Sequence, residues 1–191
     1  MLNFLRKINS LKRTPRMGWV ESGIEPRESE DVAQHSFETS TITLLLSQKV
    51  DDGEVNVEKA MKMAILHDWS ESVTGDFSKS QTESIGKSNK IKIEKEAMEK
   101  ILPNGFFGSG SLLKIWEEYS EKKTKEAKIV FVSDRLSILL EAEYLFSQGK
   151  KNKKLKKIWE DVHSELTNFT NEFPFLTDLL ESLNQDNPFE D

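Results

Sequence analysis

Residues 124–148 read TKEAKIVFVSDRLSILLEAEYLFSQ, with no glycine or proline until Gly149. The run is too long for a strand, which rarely exceeds about 10 residues, and its apolar residues recur at helical rather than alternating spacing. Thr124 suits an N-cap, and Gly149 suits a C-terminal stop. One position breaks the apolar pattern. Asp134 lies three and four residues after Phe131 and Val130 and four before Ile138, so the helix directs a carboxylate at an apolar interior. An unpaired buried carboxylate is costly and is normally neutralised by a proton, a cation or a metal. Arg135 is one available cation.

Outward from this segment the same periodicity predicts helices over 30–49, 57 to about 73, 89–102, 112–121 and about 155–169. Asp51, Asp52 and Gly53 end the first of these, and Gly75 closes the second. Pro103 and the Gly-rich stretch 104–111 stop the third. The tail from Asn171, with Pro174 and Pro188, is expected to form a short helical piece. Alternating β-branched runs are scarce, so the fold is all-α. With 191 residues, no repeat and no Pro/Gly/Ser-rich linker near the middle, residues 1–191 are expected to form one domain.

Charged residues make up 31% of the chain, and no run approaches the roughly 18 apolar residues a membrane span needs. Residues 1–12 lack a continuous apolar core and a small-residue cleavage site, so no secretory signal is expected. The absence of cysteine removes disulfides, thiolate metal sites and cysteine nucleophiles together and is compatible with a cytoplasmic location. A net charge of −6 argues against a surface that coats nucleic acid. The lysines at 150, 151, 153, 154, 156 and 157 have no interleaved aromatic before Trp159 and read as a solvated turn and helix start.

Three more residues join Asp134. His35 shares a helical face with Thr39, Ile42 and Leu46 and points inward. His67 follows Met63 and Ala64 and precedes Glu71 by one turn, with Asp68 about 100 degrees further round. Neighbouring helical residues can both ligate one ion only if it sits over the boundary of their faces. Singly, each has a bland reading: a hydrogen-bonded core histidine, a solvated aspartate. Together, two imidazoles and two carboxylates turned inward suit a borderline or fairly hard divalent metal and point to a metal-dependent hydrolase. His163 has no such partner and is expected to be structural.

His35, the His67-Asp68 doublet and Asp134 resemble the H…HD…D pattern of the HD-domain metal-dependent phosphohydrolases, an all-helical superfamily. LKRTPRMGWV at 11–20, DVAQHSF at 31–37, AILHDWSESVTGD at 64–76 and WEEY at 116–119 are similar to the branch that contains the 5'-deoxynucleotidases. The likeness runs from about Leu11 to Phe146.

This resemblance implies that His35, His67, Asp68 and Asp134 hold one divalent cation, with manganese or cobalt favoured over magnesium, zinc, iron or nickel. It implies that Glu71 works on the water or its proton and that Arg16 orients the phosphate. Trp19 would contact the nucleoside or sugar, and Asp76, Phe77, Ser78 and Lys79 would form the loop that reads the sugar. Each has a structural alternative: an exposed helix glutamate, a surface arginine in a basic stretch, a core tryptophan, a turn aspartate. Similar proteins often carry a lysine where this chain has Phe131, a glutamate where Ser137 stands and a proline in the loop after Asp76, so the surroundings of the site and sugar recognition are expected to differ. Such proteins are commonly homodimers. The reaction implied is removal of the 5'-phosphate from a deoxynucleoside monophosphate. Hydrolysis of another nucleotide such as a triphosphate, which would call for a longer basic groove, and a non-catalytic metal-stabilised binding module are the alternatives. No Walker motif is present.

Overall fold

The computed structural model describes residues 1–50, 53, 55–102, 108–185 and 189. Among these, the regular elements are helical apart from one isolated bridge between Pro15 and Asp31. In chain order they are α1 (Leu2–Ser10), a 3-10 turn (Leu11–Arg13), α2 (Met17–Glu21), α3 (Val32–Ser47), α4 (Val57–Leu66), α5 (Glu71–Thr74), α6 (Lys79–Ile85), α7 (Lys87–Ile101), α8 (Ser109–Glu121), α9 (Lys125–Ser147), α10 (Lys153–Thr167) and α11 (Phe175–Gln185). The turn residues Asp51 and Asp52, Pro103 with 104–107, and Pro188 lie outside the described residues.

Helix α9 is the axis of the bundle. It packs against α3, α4, α8 and α10, and buried residues occur on every side of it, as expected of a helix surrounded by protein. The Thr124 side chain accepts the Ala127 N–H at its start, and Gly149 takes the left-handed conformation (φ 85°) just beyond its end. Helix α3, laid along α9, opens with a capping box in which Asp31 accepts the Gln34 N–H and the Gln34 side chain accepts the Asp31 N–H. One apolar cluster joins Trp19, Leu136, Leu139, Leu155, Leu166 and Phe173, tying α2, α9 and α10 to the segment that leads into α11. A second joins Leu66, Met98, Ile101 and Trp116 and fastens α4 to α7 and α8.

The expected helix over 57–73 is interrupted. Helix α4 stops at Leu66, and residues 67–70 form turns closed by tighter i to i−3 bonds, Trp69 N–H to Leu66 O (3.1 Å) and Glu71 N–H to Asp68 O (3.0 Å). Side chains three apart eclipse in such a turn, so Glu71 aligns with Asp68 rather than with His67. Carbonyls freed at a helix end need partners, and side chains of the site supply them. The His67 ring lies 2.7 Å from Ala64 O, and Trp116 donates Nε1–H to His67 O at 3.2 Å.

Three further helices, α1, α2 and α6, were not foreseen. Helix α1 packs Phe4 edge-on to Trp69 at 5.2 Å, and α6 begins where the sequence read as loop, with Ser78 as N-cap in a capping box with Gln81. The lysine run is partly committed to local contacts. Lys150 pairs with Glu28 (2.7 Å), Lys154 donates to Glu21 O (2.8 Å) and Lys157 pairs with Asp161 (3.2 Å). His163 stacks on Trp159 at 4.9 Å, consistent with a structural role.

Candidate metal centre

Three segments carry the four candidate ligands to one place: His35 from the first turn of α3, His67 and Asp68 from the break after α4, and Asp134 from the middle of α9. Nitrogen and oxygen atoms of His35, His67 and Asp134 all lie within 4.8 Å of one another, and all three residues are buried. Asp68 closes the group, its Oδ2 being 3.1 Å from His67 Nε2 and 3.8 Å from His35 Nε2.

The tautomers fit a cation at this point. His67 Nδ1 faces a carbonyl, which only accepts, so Nδ1 carries the hydrogen and Nε2 presents its lone pair. Nε2 is buried and makes no hydrogen bond. His35 Nδ1 lies 3.2 Å from Ser137 Oγ, whose hydroxyl hydrogen is given to Glu38 Oε2 at 2.7 Å. The hydroxyl oxygen is therefore an acceptor toward His35 Nδ1–H, which leaves the His35 Nε2 lone pair 3.0 Å from Asp134 Oδ1. Two lone pairs so close require a proton or a metal between them, and hydrogen-bond partners like Ser137, on the ring nitrogen away from the ion, are what orient ligating imidazoles. Position 137 holds no glutamate, yet a carboxylate still acts on His35 through the serine.

Charge shapes the rest of the site. Burial opposes ionisation of Asp134, but Arg135, 3.8 Å from Oδ2, and His35 hold its carboxyl well below the ordinary range. Burial also opposes ionisation of Asp68, and His67 and Arg16 drive it strongly down. Glu71 behaves in the opposite way. Burial, then the charges of Asp68 and Asp76, push it well above its usual value, with Arg16 and Lys90 opposing. It is a carboxyl group that can hold a proton beside carboxylates that cannot.

Arg16 reaches this cluster from the loop before α2. Its Nη1 is 3.0 Å from Asp76 Oδ1, 3.3 Å from Asp68 Oδ2 and 4.0 Å from Glu71 Oε2. Asp76 also accepts the Met17 N–H through its other oxygen, so it anchors the segment that presents the arginine. Trp19 is buried in the core and donates Nε1–H to Glu30 at 3.1 Å. The remaining loop residues diverge. Lys90 Nζ lies 5.9 Å from the Phe77 ring centroid. Ser78 is buried and donates to Glu21 at 2.7 Å, and Lys79 turns outward to Asp161 at 3.0 Å. The proline-free loop thus caps α6 instead of lying open.

Some contributors were not singled out from the sequence. Glu30 lies 3.6 Å from His35 Nδ1, and burial pushes its carboxyl up to about 8 against the pull of Arg16. Tyr119 sets its ring edge-on to His67 at 5.6 Å. Lys122 stands over the Phe131 ring beside Arg135, the cation the sequence had offered to Asp134. Tyr119 lies in the WEEY segment, but spacing alone offered no signal for the others, because each reaches the site by tertiary packing.

Residues 8–174 match the HD domain family model. The 5'-deoxynucleotidase HDDC2 of Danio rerio is 32% identical over 97% of this chain and 87% of that protein. A solved structure from Pyrococcus horikoshii superposes with a TM-score of 0.82 at 32% identity, covering 97% of this chain and 99% of that one. An HD-domain phosphohydrolase from Listeria innocua, at 17% identity and TM-score 0.73, covers 98% of this chain and 91% of its own and shares the fold. With a family model spanning most of its length and the paired histidine and aspartate ligands gathered at one buried point, the chain belongs to the HD-domain family.

Proposed function

We propose that this protein is a metal-dependent phosphomonoesterase that removes the 5'-phosphate from deoxynucleoside monophosphates, releasing nucleoside and inorganic phosphate. The observation that carries it is the juxtaposition of buried His35, His67 and Asp134, closed by the half-buried Asp68, with an arginine and a proton-holding glutamate at the edge. The 5'-deoxynucleotidase name of the curated relative supports the substrate class.

His35, His67, Asp68 and Asp134 hold the ion; their mixed nitrogen and oxygen donors suit a borderline or fairly hard divalent cation, and the family likeness favours manganese or cobalt among these, with magnesium, zinc, iron or nickel as lesser candidates. A divalent ion there supplies Lewis-acid polarisation of a phosphoryl oxygen and acidifies water. Arg16, held by Asp76, presents its guanidinium to the phosphate and grips two oxygens. Glu71 takes and returns the proton that water loses and the 5'-oxygen gains. Asp76 holds Arg16 in place, and a lone pair it retains accepts from the sugar 3'-hydroxyl. Trp19, through Glu30, fixes the wall on the nucleoside side, with Phe77 facing the sugar and Ser78 and Lys79 shaping that loop.

We read residues 1–191 as one HD domain, with the helices of 150–191 as its extension, and place the protein in the cytoplasm. Among the described residues no helix is long and apolar enough to cross a membrane. We also propose a homodimer. Phe37 and Tyr144, both exposed on the α3–α9 face, offer aromatic contacts for a second copy.

The test is turnover of matched deoxy and ribo 5'-monophosphates, 3'-monophosphates and triphosphates by metal-loaded protein. Preference for deoxynucleoside 5'-monophosphates is the expected result. Preference for triphosphates removes the monoesterase reading, and no turnover with any metal leaves a metal-stabilised binding module.

A further inference from the structure

Lys122 is the one non-glycine residue with a positive φ among the described residues (φ 53°, ψ 33°). It caps the end of α8, a position where glycine is usual because a Cβ is disfavoured in the left-handed region. A side chain kept in an unfavourable backbone conformation invites the question of what that side chain does. The Lys122 ammonium lies 3.9 Å from the centroid of the Phe131 ring, and the Arg135 guanidinium lies 4.8 Å from the same centroid. Arg135 has carboxylate partners, Glu165 at 3.0 Å and Asp134 at 3.8 Å. Lys122 has no ion-pair partner within 4.0 Å among the described residues, although it stands beside another cation. Burial of the ammonium, and then Arg135, push it down to about 8.

The place matters as much as the charge. Phe131 is three residues before Asp134 on α9, and Tyr119, whose carbonyl accepts the Lys122 N–H at 3.1 Å, sets its ring against His67. Lys122 as a residue is exposed, so an incoming ligand can reach it. Arg16 approaches the four ligands from the Asp68 and Asp76 side, whereas Lys122 and Arg135 stand on the Asp134 side.

We infer that Lys122, with Arg135 beside it on the Phe131 platform, forms an anion subsite across the metal centre from Arg16 and takes oxygens of the substrate phosphate. The identity of that anion rests on the phosphomonoesterase reading, whereas the subsite itself rests on the geometry. An anion between the two cations relieves their repulsion and completes the empty coordination of the lysine. The cation–π contact keeps the ammonium raised toward the site, which explains why lysine is kept where glycine would fit the backbone better.

The experiment uses metal-loaded wild type, Lys122→Met, Lys122→Gly and Lys122→Arg. It measures metal content, melting temperature across a titration of inorganic phosphate, and kcat and KM on a deoxynucleoside 5'-monophosphate. Lys122→Met and Lys122→Gly should keep their metal and weaken phosphate binding roughly 10-fold or more, the scale of one hydrogen bond to a charged group. KM should rise alongside, and Lys122→Arg should recover most of the loss. Lys122→Gly should also melt higher than wild type without phosphate, since the backbone strain is gone, so loss of binding cannot be blamed on loss of fold. Phosphate affinity unchanged in both the Met and Gly variants, or a wild type that phosphate does not stabilise, overturns the subsite. Phosphate binding that depends on Lys122 in a protein that cleaves no nucleotide upholds the subsite and removes the monoesterase reading.

Discussion

Ser137 Oγ lies 3.2 Å from Nδ1 of His35 and donates its hydroxyl hydrogen to Glu38 in a 2.7 Å hydrogen bond. This contact sets the tautomer in which His35 offers Nε2 to a metal. Ser137→Ala removes the acceptor but leaves the ring buried, so the fold should persist while metal affinity falls about 10- to 100-fold, the usual effect of losing an outer partner of a ligating histidine. Competition with a chelator of known affinity measures this. Wild-type affinity in Ser137→Ala would show that packing alone orients the ring.

Ligand removal should be far more severe. His67 ties the end of α4 to the centre and Asp134 ties α9, so one ion joins separate helices. His67→Ala and Asp134→Ala should each lose the metal and the rise in melting temperature that metal brings to wild type, a rise worth about 2.7 kcal/mol when free metal is 100-fold above its dissociation constant. Elemental analysis and melting with and without chelator provide the readout. Unchanged metal content in both variants would displace the site.

Glu71 separates binding from chemistry. Glu71→Ala should retain metal and fold yet lose about 100-fold or more in turnover, the scale of a lost general acid or base. Near-normal turnover in a metal-loaded variant would reduce Glu71 to a buried neighbour of Arg16.

Glu30 should make the metal-free protein pH-sensitive. Its folded carboxyl is raised to about 8 from an ordinary value of 4.5, so between these limits the folded state binds more protons than the unfolded state, and stability falls as pH rises. Glu30→Gln imitates the protonated form and keeps an oxygen for the Trp19 N–H. It should match wild type at pH 4 and be more stable at pH 8, with the gap opening from about pH 4.5 upward. Denaturant midpoints across that range decide it. Equal midpoints at pH 8 would mean that Arg16 compensates the buried charge fully.

Arg16 and Asp76 should divide the substrate between them. Arg16→Lys keeps charge but loses the planar fork, so most activity should go while metal stays. Asp76→Ala should weaken the preference for deoxy over ribo 5'-monophosphates and also raise KM, because Asp76 anchors Arg16 and the Met17 N–H. Specificity constants on matched substrates test both. A sugar preference untouched in Asp76→Ala would leave that residue only its anchoring task.

Much of this was legible in the chain itself. The glycine-free run that became α9, its Thr124 cap and its Gly149 stop are local events, decided by propensity and by which backbone groups lack partners, so α9 follows the reading within a residue at each end. The inward faces of His35 and Asp134 follow from the same 3.6-residue period, and their ordering with the His67-Asp68 doublet was enough to suggest the family. The break after Leu66 was not legible. An uninterrupted helix satisfies local preference there, and only Trp116 from α8, accepting the role of partner to His67 O, together with the His67 ring turned to Ala64 O, makes the interruption affordable.

That distinction runs through the whole molecule. The sequence by itself determined the all-helical class and the residue types suited to a metal, because periodicity, capping and donor chemistry act over a few positions. Tertiary structure alone decided that Glu38 acts on His35 through Ser137, that Ser78 and Lys79 turn toward Glu21 and Asp161, and that Lys122 reaches over Phe131. Each of these depends on side chains brought together from different elements, and the energy of such contacts is set by burial and relative orientation, neither of which exists until the bundle has closed.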